Sequence, residues 1–244
     1  MSIKETIIET SQGGIKIVQY NKPKKKNAID GVMYRRVISI LNDAATDDSI
    51  SVMVLTGTGD FYSSGNDFSA PTDPNDDTGK HLNVLKDYIK AFIMFPKILV
   101  AVVNGPAIGI AATTLALCDL VFASENSYFY TPFTKLGIVA EGCSTFTFPR
   151  ILGDKKAMEM LLCNYKMPAK EALEYGFINY IYKPEELQSK VWDKIAEVSK
   201  LPKYSVTATK KLLRDTVREE LLQANEKEME ELNIIWAKGY KSKL

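Results

Sequence analysis

Histidine is almost absent: the 244 residues contain one, His81. It stands at the start of a segment in which Leu82, Leu85, Ile89, Phe92 and Ile93 recur at helical spacing. No cysteine, aspartate or serine constellation accompanies it, so a surface position is expected, and neither serine-type nor zinc catalysis. Cysteine is nearly as scarce. Cys118, Cys143 and Cys163 are odd in number and lie among apolar residues, which fits buried reduced thiols rather than a disulfide framework. No apolar run approaches the ~20 residues of a membrane span, and Met1-Ser2-Ile3-Lys4-Glu5 lacks the apolar core of a signal peptide, so neither secretion nor membrane insertion is expected. Charge of one sign is lacking too. A formal net charge of +1 removes the global basic field that would argue for nucleic acid, and an anionic ligand has to be met by a local patch.

What is present is ordinary for a globular chain: 45% hydrophobic and 25% charged residues, enough for one large domain or a domain with an appendage. The stretch from Lys97 to Ser124 organises the rest. It opens with a β-branched apolar run, Ile98-Leu99-Val100-Ala101-Val102-Val103, and turns at Asn104-Gly105-Pro106. From Ala107-Ile108-Gly109-Ile110 onward it continues through small and apolar residues to Asp119. This reads as buried strand, tight turn, buried helix and second strand. A helix opening on Gly and Ala exposes free N–H groups at the positive end of its dipole, where an oxyanion can be held. A plain strand-to-helix connection is the equal alternative.

Before that stretch, Thr6–Thr10 and Ile15–Tyr20 flank Gln12-Gly13-Gly14 as a hairpin. A polar connection with Lys24, Lys25 and Lys26 is either a solvated loop or a seat for phosphates. It ends in Asp30, the N-cap of a helix to about Ala45 with Met33, Val37, Ile40, Leu41 and Ala44 on its apolar face. Val52–Thr56 is a short buried strand, and the polar Gly57–Gly79 segment is a long loop of the kind that carries function. Within it, Ser63-Ser64-Gly65-Asn66-Asp67 is a turn that can aim a backbone N–H inward or lie simply at the surface. After a strand at Ser127–Tyr130, Glu141 stands alone among small and apolar neighbours. It is either a helix-start residue favoured by the dipole or a desolvated base with a raised pKa, and both readings stay open. Helices are expected from Lys155 to about Cys163, Pro168 to Tyr175, Glu185 to about Lys200, Ser205 to Leu213 and Glu219 to Lys238. The last carries Leu221, Leu222, Asn225, Met229, Leu232 and Trp236 on one stripe, for internal packing or for subunit assembly.

Four blocks, in order, carry a resemblance. They are Asn21-Lys22-Pro23 with Asn27-Ala28-Ile29; Ser63 to Asp67; Ala101 to Gly109 through Cys118-Asp119; and Thr131-Pro132-Phe133 with Leu136-Gly137. Together they resemble the crotonase, or enoyl-CoA hydratase/isomerase, superfamily from Glu5 to Tyr240. The resemblance implies an α/β fold: a crotonase-type spiral of ββα units over residues 1–200, and a C-terminal helical trimerisation region over 201–244. It implies an acyl-CoA thioester substrate, a homotrimer or dimer of trimers, and no cofactor or metal, coenzyme A being part of the substrate. Carried over, the backbone N–H groups of Ser64 and Ile110 form the oxyanion hole. Lys24, Lys25, Lys26, Asn27, Ala28, Ser63, Gly65, Asn66, Asp67, Gly109 and Phe133 line the substrate.

Family hydratases use two glutamates, and at the aligned positions this chain has Thr113 and Phe133, which argues against hydration. Ala140-Glu141-Gly142-Cys143-Ser144 resembles the peroxisomal Δ3,Δ2-enoyl-CoA isomerase branch instead, with Glu141 as the catalytic base. Dienoyl-CoA isomerisation, thioester hydrolysis and a non-catalytic acyl-CoA-binding module, as in some chromatin proteins, are the alternatives. Some animal members of the branch carry an acyl-CoA-binding domain upstream. The tripeptide Ser242-Lys243-Leu244 reads as an address for the peroxisomal import receptor, so the peroxisomal matrix is the expected location.

Overall fold

A computed structural model describes residues 5–69 and 78–238, with 78–81 and 188 by backbone alone. The side chain of His81 and the tripeptide Ser242-Lys243-Leu244 lie outside the described residues. β1 (Ile7–Gln12) and β2 (Ile15–Tyr20) pair antiparallel with Gln12 opposite Ile15, so Gly13 and Gly14 alone make the turn. Asp30 then caps α1 (Gly31–Thr46), its carboxylate accepting the Met33 amide at 2.9 Å. All five apolar-face residues are buried, with Tyr34 beside them.

β3 (Val52–Gly57), α2 (Thr78–Met94) and β4 (Ile98–Val103) come next. β5 (Ala107–Ile108), α3 (Ile110–Thr113), β6 (Leu120–Ser124), β7 (Tyr128–Tyr130) and α4 (Phe133–Leu136) follow. After them run α5 (Ser144–Leu152), α6 (Asp154–Leu161), β8 (Lys166–Pro168), α7 (Ala169–Glu174) and β9 (Tyr180–Tyr182). The chain then closes with α8 (Pro184–Ser199), α9 (Lys203–Asp215) and α10 (Arg218–Ala237).

A six-stranded sheet has the order β1-β2-β3-β4-β6-β9, parallel throughout except for the first hairpin. Both its faces are covered, which is why β4 is an unbroken apolar run. Leu99, Ala101 and Val103 join the main core with α1 and α2, while Val100 and Val102 face Leu187, Val191 and Ile195 of α8. A second, three-stranded sheet is ordered β5-β7-β8.

The helix expected after Gly109 is only one turn, α3, passing into a 3-10 turn at Thr114–Leu117. Residues Ala107 and Ile108 are spent instead on pairing with β7. α5 was not legible: its sequence is rich in Thr and Phe and has Pro149 inside the helix, so tertiary contacts override propensity.

The C-terminal helices differ from each other. α10 turns its stripe inward onto α2 and α5, and Leu221, Met229 and Leu232 belong to the main core. That stripe is therefore used within the chain rather than left for a neighbour. α9 is tied down by Lys210, whose Nζ reaches Asp119 Oδ2 and the Lys97 carbonyl, each at 2.6 Å. It leaves Tyr204, Leu212 and Leu213 largely exposed.

Candidate active site

Three segments converge. Ser63 bridges Ala107 of β5, and Asn66 bridges Ile29, so the segment between them is a short strand-like piece linking the start of α1 to the second sheet. Its alternation decides where each amide points. The Ser63 amide donates to the Pro106 carbonyl at 3.3 Å, and the Ser64 amide turns the other way, to the Lys26 carbonyl at 2.9 Å. The Ile29 amide then donates to the Gly65 carbonyl at 2.8 Å, and the Ile29 carbonyl accepts the Asp67 amide at 2.9 Å. The N–H of Asn66 is left facing away from Ile29, on the side where β5 runs, with no hydrogen-bond partner among the described residues.

The Ser64 amide, expected as an oxyanion donor, is therefore taken up by the Lys26 carbonyl. The Ser64 N–H is engaged in the fold, and the Asn66 N–H is the one turned toward the site. Gly65 is what permits the approach: its φ is +83°, and a Cβ there would lie 2.6 Å from the Ile108 carbonyl oxygen. That contact sets Asn66 beside Gly109-Ile110. The Gly109 amide bonds to the Tyr130 carbonyl at 2.8 Å, while Ile110, first residue of α3, has an amide that no helical carbonyl reaches. Ile110 thus has an N–H without a partner among the described residues, at the start of a buried turn.

The third segment brings Glu141. Its residue is 1% exposed, and Asn66 Nδ2 donates to its Oε1 at 3.2 Å. The Asn66 amide is in turn held by Tyr34 of α1, whose hydroxyl bonds to Oδ1. Gly142 packs against α3; a Cβ there would meet Thr113 Oγ1 at 2.1 Å. Burial first, then the neighbouring Glu228 carboxylate, push Glu141 up to about 8, against the Asn66 hydrogen bond that favours its ionised form. Glu141 precedes the N-cap of α5 by two residues and does not cap it, so of its two readings the desolvated carboxylate holds.

The other expected site residues divide. Asn27 is fully buried and structural, its amide donating to the Thr58 and Phe61 carbonyls at 2.9 and 2.7 Å. Ser63 is likewise buried, its hydroxyl donating to the Asn27 carbonyl. Asp67 resists protonation: burial would raise its pKa, but Lys22 at 2.8 Å, Ser69 and Lys25 hold it well below the usual carboxylate range. A carboxylate so paired is no base. Lys24, Lys25 and Lys26 are exposed on the loop before α1, with Lys26 Nζ 5.2 Å from the Phe61 ring, and Ala28 and Phe133 are buried.

This site, a buried carboxylate bonded to Asn66 with the Asn66 and Ile110 amides left without partners among the described residues, can be set against known proteins. The chain matches the enoyl-CoA hydratase/isomerase family over residues 10–238. It belongs to that family. Rat enoyl-CoA delta isomerase 2 is 43% identical over 234 residues, which are 94% of this chain and 60% of that protein. Mouse peroxisomal enoyl-CoA delta isomerase 3 is 42% identical, over 91% of this chain and 71% of that protein. Human testis-specific chromodomain protein Y 2 is 33% identical, over 100% of this chain and 46% of that protein. The chain thus spans about three-fifths of the length of the rat relative. Among solved structures, an enoyl-CoA hydratase/isomerase from Pseudoalteromonas atlantica T6c superposes with a TM-score of 0.90 at 28% identity, covering 96% of this chain and 92% of that one.

For a member of the enoyl-CoA hydratase/isomerase family, the two positions without glutamate are filled by groups that move no proton. Thr113 Oγ1 donates to the Ile110 carbonyl at 3.3 Å, and Phe133 is 2% exposed. Tyr34 and Glu228 were not among the expected site residues. Glu228 had a signal: it falls between Asn225 and Leu232 on the apolar stripe of α10, where an unpaired carboxylate has no place.

Proposed function

We propose that the chain moves the double bond of 3-enoyl-CoA to the 2-trans position, with Glu141 as the single proton carrier. The observation that carries this reading is the buried Glu141 carboxylate bonded to the side chain of Asn66, whose backbone N–H faces the same site as that of Ile110. Ionised Glu141 takes a proton from C2. The C–H electron pair becomes the C1=C2 bond of a dienolate, and its charge rests on the thioester oxygen between the Asn66 and Ile110 amides. Glu141 then returns the proton to C4, the C2=C3 bond forms, and the thioester carbonyl is restored. One base suffices because both carbons lie along one face of the substrate. Each preorganised amide in such a dry site is worth about 2.7–4 kcal/mol at the transition state.

The 42–43% identity to the rat and mouse delta isomerases supports this chemistry over the other reactions of the family. Exposed Lys24, Lys25 and Lys26 suit the phosphates of coenzyme A, as point charges on a surface loop. Location in the peroxisomal matrix is supported by Ser242-Lys243-Leu244 and by the mouse relative's name. A trimer built on α9 is supported by its exposed Tyr204, Leu212 and Leu213; a species sedimenting as a monomer at micromolar concentration would contradict it.

The experiment is turnover of trans-3-hexenoyl-CoA. We expect conversion to the 2-trans isomer with hydration of the product slower by orders of magnitude. Hydration as fast as isomerisation, or no turnover of the 3-enoyl substrate by folded protein, would overturn the reading.

A further inference from the structure

The turn carrying Glu141 has weak local support. Cys143, the N-cap of α5, is left-handed with φ 59° and supplies no side-chain cap. The first amides of a helix need acceptors, and here these acceptors come from 85 residues away. Glu228 of α10 enters the core with 5% exposure. Its Oε2 accepts the Cys143 amide at 2.7 Å, and its Oε1 accepts both the Thr145 amide at 3.0 Å and the Thr145 hydroxyl at 2.6 Å. A second tie runs beside it, from Cys143 Sγ to the Leu221 carbonyl at 3.3 Å. Between the two clamped residues, the Ser144 hydroxyl holds the Glu141 carbonyl at 2.7 Å.

We infer that Glu228 is the positioning residue for Glu141: from the C-terminal helix it caps α5 and so fixes the 141–145 turn on which the base is aimed. This rests on the reading of Glu141 as the base. Glu141 is flanked by Asn66 from the loop, Tyr34 from α1 and Glu228 from α10, with Cys143 on its own turn. Glu228 is the carboxylate that acts on Glu141 among the described residues, and it makes Glu141 harder to ionise. Glu228 is itself pushed up to about 7 by burial, against the three hydrogen bonds it accepts. The arrangement both orients the base and keeps it basic near neutral pH.

The test compares Glu228→Gln, Glu228→Asp, Thr145→Ala and Glu141→Gln with the parent, on 3-enoyl-CoA across pH. Glu228→Gln removes the charge and puts an amide group against N–H donors. It should lower kcat about 10- to 100-fold with KM little changed, because misplacing a reacting group costs rate rather than binding. It should also move the acid limb of kcat/KM to lower pH. Glu228→Asp keeps the charge and should keep the acid limb at the parent position. Thr145→Ala keeps Glu228 but makes it harder to ionise, so the limb should move the same way by less. A merely structural role would lower thermal stability and leave the profile alone. Parent kcat and an unmoved limb in folded Glu228→Gln would overturn the proposal. Should that variant not fold, an unmoved limb in Thr145→Ala would do so. If Glu141→Gln is inactive while Glu228→Gln matches the parent, only this proposal falls. If Glu141→Gln turns over at the parent rate, the base assignment falls and this proposal with it.

Discussion

The two halves of the proposed site are built from different materials. On the oxyanion side everything is backbone: the amides of Asn66 and Ile110, aimed by a positive-φ Gly65 and by the short pairing of residues 63–66 between Ile29 and β5. On the proton-transfer side everything is side chain: Glu141, the Asn66 carboxamide, the Tyr34 hydroxyl and Glu228. Backbone donors survive most substitutions, whereas a buried carboxylate answers to every charge near it. The first half therefore tolerates sequence change and depends on conformation, and the second depends on residue identity and pH.

That contrast can be broken at named positions. Ile110→Pro has the largest expected effect among them. Proline suits the first helical position and removes an N–H that no carbonyl accepts, but it also replaces the buried Ile110 side chain, so beside an Ile110→Ala control for the lost packing kcat should fall a further ~10²- to 10³-fold while acyl-CoA still binds. Near-parent kcat in that variant would remove Ile110 from the hole. Asn66→Ala is milder and tests both halves at once. Its amide N–H survives, but Glu141 loses the donor that favours its ionised form, so the acid limb of kcat/KM should move to higher pH, opposite to Glu228→Gln. A rate loss of about tenfold at neutral pH is expected. A limb unmoved or shifted to lower pH would separate Asn66 from the base.

Legibility followed the same division. The hairpin, α1 with its Asp30 cap and the buried strands were readable because each is specified by neighbours in sequence: glycines at a turn, an N-cap, a β-branched run. The burial of Glu141 and the helix start at Ile110 were readable because a carboxylate among apolar residues and a Gly-led helix start are local signals. That the Ser64 amide is taken up while the Asn66 amide is left without a partner among the described residues was not, because it depends on pairing with Lys26 and Ile29, about forty residues earlier in the chain. α5 was hidden by Pro149 and its β-branched residues, and its cap lies on another helix. The role of α10 was half visible: its stripe was clear, but that the stripe meets α2 rather than a neighbouring subunit is a tertiary fact.

The central claim is that Glu141, buried and raised to about 8, is the base. A base acts only when ionised, so below its pKa the rate on 3-enoyl-CoA should fall about tenfold per pH unit, and kcat/KM should climb with pH to a plateau above roughly pH 8. The most direct measurement is that profile for the parent beside Glu141→Gln. The expected result is an acid limb near pH 8 in the parent, and in a folded, acyl-CoA-binding Glu141→Gln a rate lower by about 10²- to 10⁴-fold with no limb in that range. A Glu141→Gln protein that isomerises at near the parent rate with the same limb would contradict it.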